Sequence, residues 1–463
     1  MTTKTAPLPV PAADVEVLRS RVSAGADAVR ADLEALVRVP SVSAPAFDQA
    51  HVEASAALVA ELLRSAGMPE VEVLRVDGGA PAVVARRPAP QGAPTVLLYA
   101  HHDVQPPGAP EGWHSPAFEP TERDGRLYGR GAADDKAGVM VHVAALRALG
   151  DELGVGVTVF VEGEEEIGSP TFPAFLAAHR DRLAADVIVV ADSTNWAVGE
   201  PALTSSLRGL VDGTIEVRIL DHAVHSGMYG GAVPDAMTAT VRLLSNLWDA
   251  DGDLAVPGLV RTEAADLGMS EEMLRADAGL LDGVQLVGSG RLESRLWTHP
   301  ALTVTGIDAP SVANSSNTLL PSVRVKFTMR LAPGQDPQAA FEALREHLVA
   351  STPWGARVEV LLGEAGMPWA GDVGGPVYDR ARWALEQAWG RPAVHIGVGG
   401  SIPFIAELAA VYPGATVLVT GVEDPDTRAH GTDESLHLVE FERACLAEAL
   451  LLAALAPSGS PAG

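Results

Sequence analysis

Apolar positions along the chain fall into two patterns. Four runs are apolar almost without interruption: "TVLLYA" at 95–100, "VTVFV" at 157–161, "DVIVVA" at 186–191 and "ATVLVT" at 415–420. Short runs without alternation predict strands buried on both faces, as in parallel sheets. Between the first two lies "DKAGVMVHVAALRAL", where Val139, Val143 and Leu146 recur at spacings of four and three, predicting a helix with one face to bury. The middle of the chain changes period. In "SVRVKFTMRL", Val323, Val325, Phe327, Met329 and Leu331 alternate with Arg324, Lys326, Thr328 and Arg330, and "TIEVRI" at 214–219 alternates in the same way. A period of two predicts strands with one dry and one wet face, in an antiparallel sheet. The helical segments "PDAMTATVRLLSNLW" and "DPQAAFEALREHLVA" fall between such strands, and the first pattern resumes with "GPVYDRARWALEQAW". The expected architecture is an α/β domain with a mainly parallel sheet, made of residues 1–205 and 372–463, into which a smaller α+β domain, 206–371, is inserted.

Composition narrows the function class. A chain of 463 residues exceeds one simple core, which agrees with two domains. Formal net charge is −27, so neither nucleic acid nor an anionic membrane is an expected partner, since both require basic patches. No basic stretch followed by an apolar core opens the chain, and "LAEALLLAALA" near the end is too short to span a bilayer, so it is expected as a packed helix. The single cysteine, Cys445, lies in that helix. It excludes an internal disulfide and a cysteine-rich metal site, suits a reducing cytoplasm, and is expected as a small buried hydrophobe.

Candidate metal ligands follow each of the four buried strands. His101 and Asp103 come after the first, Glu162, Glu164, Glu165 and Glu166 after the second, Asp192 after the third and His430 ten residues beyond the fourth; Asp134 and Asp135 open the helix after "YGRGAA". Each has an ordinary explanation alone: a surface histidine, an N-cap aspartate, a solvated acidic loop. The carboxyl ends of strands in an open α/β sheet, however, line one crevice, and residues scattered in sequence would converge there.

Taken together, "YAHHDVQPP", "LYGRGAADDKAG", "EGEEEIGS", "VVADS", "HSGMYGG", "GGSIP" and "AHGTDES" resemble the motifs of the carnosinase-like metallodipeptidases, from about residue 30 to 455. That family belongs to a clan of dinuclear zinc peptidases that also holds aminoacylases and succinyl-diaminopimelate desuccinylase. The resemblance implies metal-dependent hydrolysis of dipeptides. It implies that His101 and Asp192 hold one ion, Glu166 and His430 the other, and that Asp134 bridges them. Zn²⁺ is the first expectation, with Mn²⁺ or Co²⁺ accepted. A water shared by the ions would be the nucleophile, Glu165 the general base, and Asp103 would orient the His101 ring. The Asp134–Asp135 peptide would be cis. Glu162 is expected to lie behind the ligands and Glu164 to face solvent. The inserted domain would serve as lid and dimerisation domain, with His225 acting on the carbonyl bound by the partner subunit. Arg330 would clamp the substrate carboxylate, Thr318 would touch the same end, and Gly400 and Ser401 would supply close backbone approach and a hydrogen bond.

Three positions depart from the pattern. Relatives often carry Arg-Glu before "GGSIP", the glutamate reading the free amine, where this chain has Gly397 and Val398; Asp433 stands where many have asparagine. Val398 favours a related amidase, an N-acyl-amino-acid deacylase or desuccinylase, whereas "HHDVQP" and "GGSIP" favour the dipeptidase. A non-catalytic metal-binding protein would show a missing ligand or base, and none is missing. A purely structural protein with solvated acidic loops would bind no metal.

Overall fold

The computed structural model describes residues 10–400 and 403–457, and the chain divides into two compact units. The first comprises the described residues up to Ser205, Gly371–Ile396 and those from Glu407 onward; the second comprises Ser206–Ala370 and Gly397–Ala406. The short segment 397–406, which carries the "GGSIP" motif, therefore belongs with the second unit.

The four uninterrupted apolar runs form the centre of one mixed sheet. Strand Thr95–His101 lies parallel to Gly156–Glu162 on one side and Val187–Val190 on the other, and Thr416–Val419 continues parallel to Val187–Val190. Ala82–Arg87 and Glu70–Leu74 extend the sheet antiparallel beyond Gly156–Glu162. Side chains alternate between two packed layers. Val96, Leu98, Ala100, Val157, Val159 and Val161 join the core that includes helices Ala12–Val37, Lys136–Leu149 and Leu438–Leu455. Tyr99 meets Phe160 edge-on, and Phe160 stacks on Phe172 and Phe175 of the helix Phe172–Leu183.

Helix Lys136–Leu149 departs from its expected single buried face: it is buried nearly all round. It packs on strand Thr95–His101 and against two further helices, Ala12–Val37 and Leu438–Leu455. Its one imidazole, His142, is satisfied inside, with Nδ1 2.8 Å from Glu448 Oε1 and Nε2 3.0 Å from the Tyr99 carbonyl. Cys445 is buried in helix Leu438–Leu455, and among the described residues no helix is long and apolar enough to cross a membrane.

The second unit holds a four-stranded antiparallel sheet in the order Ala301–Asp308, Ser322–Leu331, Gly209–Arg218, Arg357–Gly366. The two central strands, Ser322–Leu331 and Gly209–Arg218, alternate buried and wetter positions as their sequence does, with Val323, Val325, Phe327, Met329 and Leu331 inside. Helices Ala236–Leu244 and Pro337–Ala350 pack on this sheet. Each starts at an aspartate whose side chain accepts from a first-turn amide: Asp235 from Thr238 and Asp336 from Ala339.

Candidate active site

Parallel register places the ends of the central strands side by side. His101 pairs with Glu162 across the sheet, and Asp192 follows the neighbouring strand two residues on. The loop after Thr416–Val419 crosses tightly over the segment after Val190: a side chain at Gly421 would fall 1.5 Å from the Ser193 carbonyl oxygen, so only glycine fits. That crossing brings the loop bearing His430 onto the same rim.

One carboxylate organises the rim. Asp134 Oδ1 lies 3.1 Å from His101 Nε2, and Asp134 Oδ2 lies 3.0 Å from His430 Nε2. His430 Nε2 is also 3.1 Å from Glu166 Oε2, and His101 Nε2 is 4.0 Å from Asp192 Oδ1. Two clusters of metal-binding atoms result, His101–Asp134–Asp192 and Asp134–Glu166–His430, each with its donors within 4.8 Å of one another and with Asp134 common to both. The Asp134–Asp135 peptide is cis.

The electrostatics of the cluster agree with a site for cations. Burial pushes the Asp192 carboxyl up to about 6 and that of Glu166 up to about 7. Burial, reinforced by Asp192 and Glu166, holds Glu165 well above the usual carboxylate range. Hydrogen bonds to Asp134 and Glu166 push His430 up to about 11. Packed carboxylates thus strain against deprotonation, and the imidazoles take up protons to compensate. Two imidazoles and three carboxylates in two overlapping groups fit a pair of divalent ions of the Zn²⁺, Mn²⁺ or Co²⁺ type.

The four glutamates of "EGEEE" separate by partner. Glu162 is buried behind the rim, accepts from the Tyr99 hydroxyl at 2.8 Å and is pushed up to about 8 by burial. Glu164, expected in solvent, is buried: its carboxylate accepts from the amides of Ala80 and Thr171 and the Thr171 hydroxyl, at the start of helix Phe172–Leu183. It ties the start of that helix to the Ala80 amide, which lies far away in sequence. Glu166 is steered by Gln105, whose amide and side chain donate to its two carboxylate oxygens. Glu165 Oε2 lies 4.0 Å from His101 Nε2.

Asp103 ties these pieces together. It is fully buried, its Oδ1 is 3.5 Å from His101 Nδ1, and its two oxygens accept from the amides of Glu165 and Glu166. A single carboxylate thereby fixes an imidazole and the turn that carries two glutamates. Glu434 does the same for Asp134 and was not singled out in the sequence, although it lies within "AHGTDES". It accepts from the amides of Gly131, Ala133 and Asp134, and Arg130 Nη1 donates to it at 2.6 Å. Both partners of that ion pair are buried. We expect Glu434→Gln to destabilise the fold by about 3–5 kcal/mol, because it leaves the Arg130 charge buried and unpaired; chemical denaturation checks this, and an unchanged midpoint would count against it.

The remaining expected residues belong to the second unit. His225 and Thr318 face one another in a two-stranded ribbon, and Gly227 N donates to Nδ1 of the exposed His225 at 3.0 Å. Arg330 is half-buried and desolvation lowers its pKa. Close to it is Arg208, unmarked in the sequence pattern, which desolvation and the Arg330 charge push down to about 10 and whose Nε donates to the Gly399 carbonyl. Among the described residues, the atom nearest a side chain placed at Gly400 is Val398 Cγ1 at 3.7 Å, whereas Gly397 and Gly399 are crowded. A Cβ at Gly397 would fall 2.6 Å from Trp297 Cβ, which accounts for the lack of a large side chain there. Ser401 lies outside the described residues.

Comparison with known proteins agrees with this geometry. Residues 97–454 match the model of Peptidase family M20/M25/M40. The chain is 36% identical over 418 residues to a cysteinylglycine-S-conjugate dipeptidase of Corynebacterium striatum, covering 89% of this chain and 91% of that one. It is 30% identical over 397 residues to a beta-Ala-His dipeptidase of Rattus norvegicus, covering 81% and 79%. Among solved structures, the dipeptidase Dug1p of Saccharomyces cerevisiae superposes with a TM-score of 0.80 at 21% identity, covering 96% of this chain and 99% of that one. Human carnosine dipeptidase 1 also gives 0.80, at 24% identity, covering 96% and 100%. Shared fold, extended sequence identity and the family match together mean that the chain belongs to Peptidase family M20/M25/M40.

Proposed function

We propose that the chain is a metal-dependent dipeptidase. The observation that carries this reading is the Asp134 carboxylate, set with one oxygen toward His101 and the other toward His430 and flanked by Asp192, Glu166 and Glu165. Two divalent cations held by these residues, Zn²⁺ first, would polarise a carbonyl and bring the pKa of a water down to about 7. Glu165 accepts the proton of the attacking water at Oε2 and returns it to the departing nitrogen. Asp103 keeps the Glu165 turn and the His101 ring in register with one another. In the second unit, Arg330 with Arg208 beside it offers a cationic locus for a substrate carboxylate. Names of the relatives, cysteinylglycine-S-conjugate and beta-Ala-His dipeptidases, support the same substrate class. A cytoplasmic location fits the single buried thiol.

Gly397 and Val398 favour a second reading. No acidic side chain stands there to receive a free amine, and Trp297 leaves no space for one at 397. An N-acyl-amino-acid deacylase would use the same metal cluster and Glu165. Assay of free dipeptides against N-acyl amino acids, with Zn²⁺, Mn²⁺ or Co²⁺ supplied, separates the two; turnover of neither class sinks both.

His225 acts in trans within a homodimer on this reading, its Nε2–H donated to the carbonyl held by the partner. Mixing separately inactive His225→Ala and Glu165→Ala proteins under exchange conditions should then restore about a quarter of wild-type activity, since half of randomly paired dimers contain one complete site. Action within one chain leaves the mixture inactive.

A further inference from the structure

A second pocket lies in the first unit and uses none of the ligand residues. Strands Thr121–Arg123 and Arg126–Tyr128 form a hairpin through Asp124 and Gly125, both at positive φ, and Ser435–His437 adds a third strand. A cavity of about 430 Å³ opens here, lined by Arg123, Arg126, Tyr128, Asp426, Arg428 and Asp433, with His114 at its edge. Pockets for small molecules occupy about 300–1,000 Å³.

Its charges sort into paired and unpaired. Arg123 stacks 3.7 Å from the Tyr128 ring centroid and reaches Asp433 Oδ1 at 3.5 Å, while His114 Nδ1 bonds the other Asp433 oxygen and the His114 amide donates to Oδ1. This is the role of the aspartate that departs from the family pattern: it cross-links the hairpin and the 114 segment to the loop of His430. Arg126 is bound to Asp424 at 3.0 Å and to Ser435. That leaves Arg428 and Asp426, both exposed and neither with an ion-pair partner among the described residues. Arg428 has φ +57, uncommon for a residue with a side chain, and its carbonyl accepts from Gly431 across the turn that presents His430.

One unpaired cation and one unpaired anion face a cavity whose other charges are internally cancelled. A simple anion entering it would meet Asp426 and Asp433, and a simple cation would meet three guanidinium groups. A small zwitterion suits both free charges. We propose that this cavity binds a zwitterion of the α-amino-acid type, its carboxylate on Arg428 and its ammonium on Asp426, with the Arg123–Tyr128 stack as a wall. Occupancy would steady the loop that carries His430. That part of the inference rests on the hydrolase reading, under which free amino acids are the products released.

The test is calorimetric titration of the metal-loaded protein with L-alanine, beside N-acetylalanine, which carries only the anion, and alanine amide, which carries only the cation. Alanine should bind about tenfold or more tightly than either analogue, and Arg428→Gln and Asp426→Asn should each weaken it by about tenfold or more. Melting temperature and metal content of both variants verify that they are folded. Alanine taken up only at the metal cluster would survive both substitutions, and that result overturns the proposal, as does N-acetylalanine binding as tightly as alanine. Neither outcome depends on turnover: intact alanine binding in a protein that hydrolyses no dipeptide removes the hydrolase reading and keeps the pocket.

Discussion

We expect Glu165→Gln to retain two divalent ions per chain and to lose about 10²–10⁴-fold in turnover. The reasoning separates the two jobs of the acidic loop. Among the ion-binding groupings, Glu166 belongs with His430 and Asp134, while Glu165 belongs to neither. Its backbone amide, not its side chain, is what Asp103 grips, so a glutamine of the same shape keeps the turn in place. What glutamine cannot do is take up a proton. The Glu165 carboxyl lies in a buried setting that holds its pKa well above the ordinary range, with Asp192 and Glu166 as neighbouring carboxylates. Metal content measured by atomic emission, beside steady-state rates on dipeptides, checks both halves. Wild-type rates in the variant would remove Glu165 from proton transfer, and loss of metal would make it a ligand instead.

The rim was legible because its signals are local. Each central strand is a continuous apolar run, and three of the four are followed within a few residues by a candidate ligand, as at His101 and Asp192, with His430 ten residues beyond the fourth. Parallel pairing then does the rest, since strands in register end together. Illegible features are those whose partners are remote in sequence. Glu164 reads as one more charge in an exposed acidic loop until the Ala80 amide arrives from the loop before the neighbouring antiparallel strand Ala82–Arg87. Glu434 looks like an ordinary acid three residues past Gly431, yet it gathers amides from residues some 300 positions away. Arg208 carries no periodic or motif signal, and only the fold brings it beside Arg330. The helix Lys136–Leu149 was underestimated because a histidine in its middle breaks the apolar pattern, while Glu448 and the Tyr99 carbonyl make that histidine acceptable in a core.

Site positions and support positions also differ in tolerance. Asp103 accepts from two backbone amides and Glu434 from three, in each case on a turn that carries candidate metal ligands. Buried carboxylates bonded to backbone amides fix geometry on the scale of tenths of an ångström, which is what paired ions need from a scaffold. Such residues would be read from sequence only as more acidic charge.

We expect Asp134→Ala to take metal content from two ions per chain to near none, and Asp192→Ala and Glu166→Ala each to keep one. The difference follows from the two faces of one carboxylate. Without Asp134, the first grouping is left with His101 and Asp192 and the second with Glu166 and His430. Two protein donors fall short of the three that open zinc sites use. Without Asp192, the second grouping is untouched, and without Glu166 the first is. Equilibrium dialysis at a fixed free Zn²⁺ concentration followed by metal analysis gives the stoichiometries directly. The metal-free protein offers a second readout. Asp134 and Glu166 together push His430 up to about 11, so removing Asp134 should bring the His430 imidazole back toward its ordinary value near 6.5, observable by NMR titration. A variant lacking Asp134 that still retained one ion per chain would mean that the two groupings bind independently, and the shared carboxylate would lose its bridging role even if the enzyme were otherwise a hydrolase.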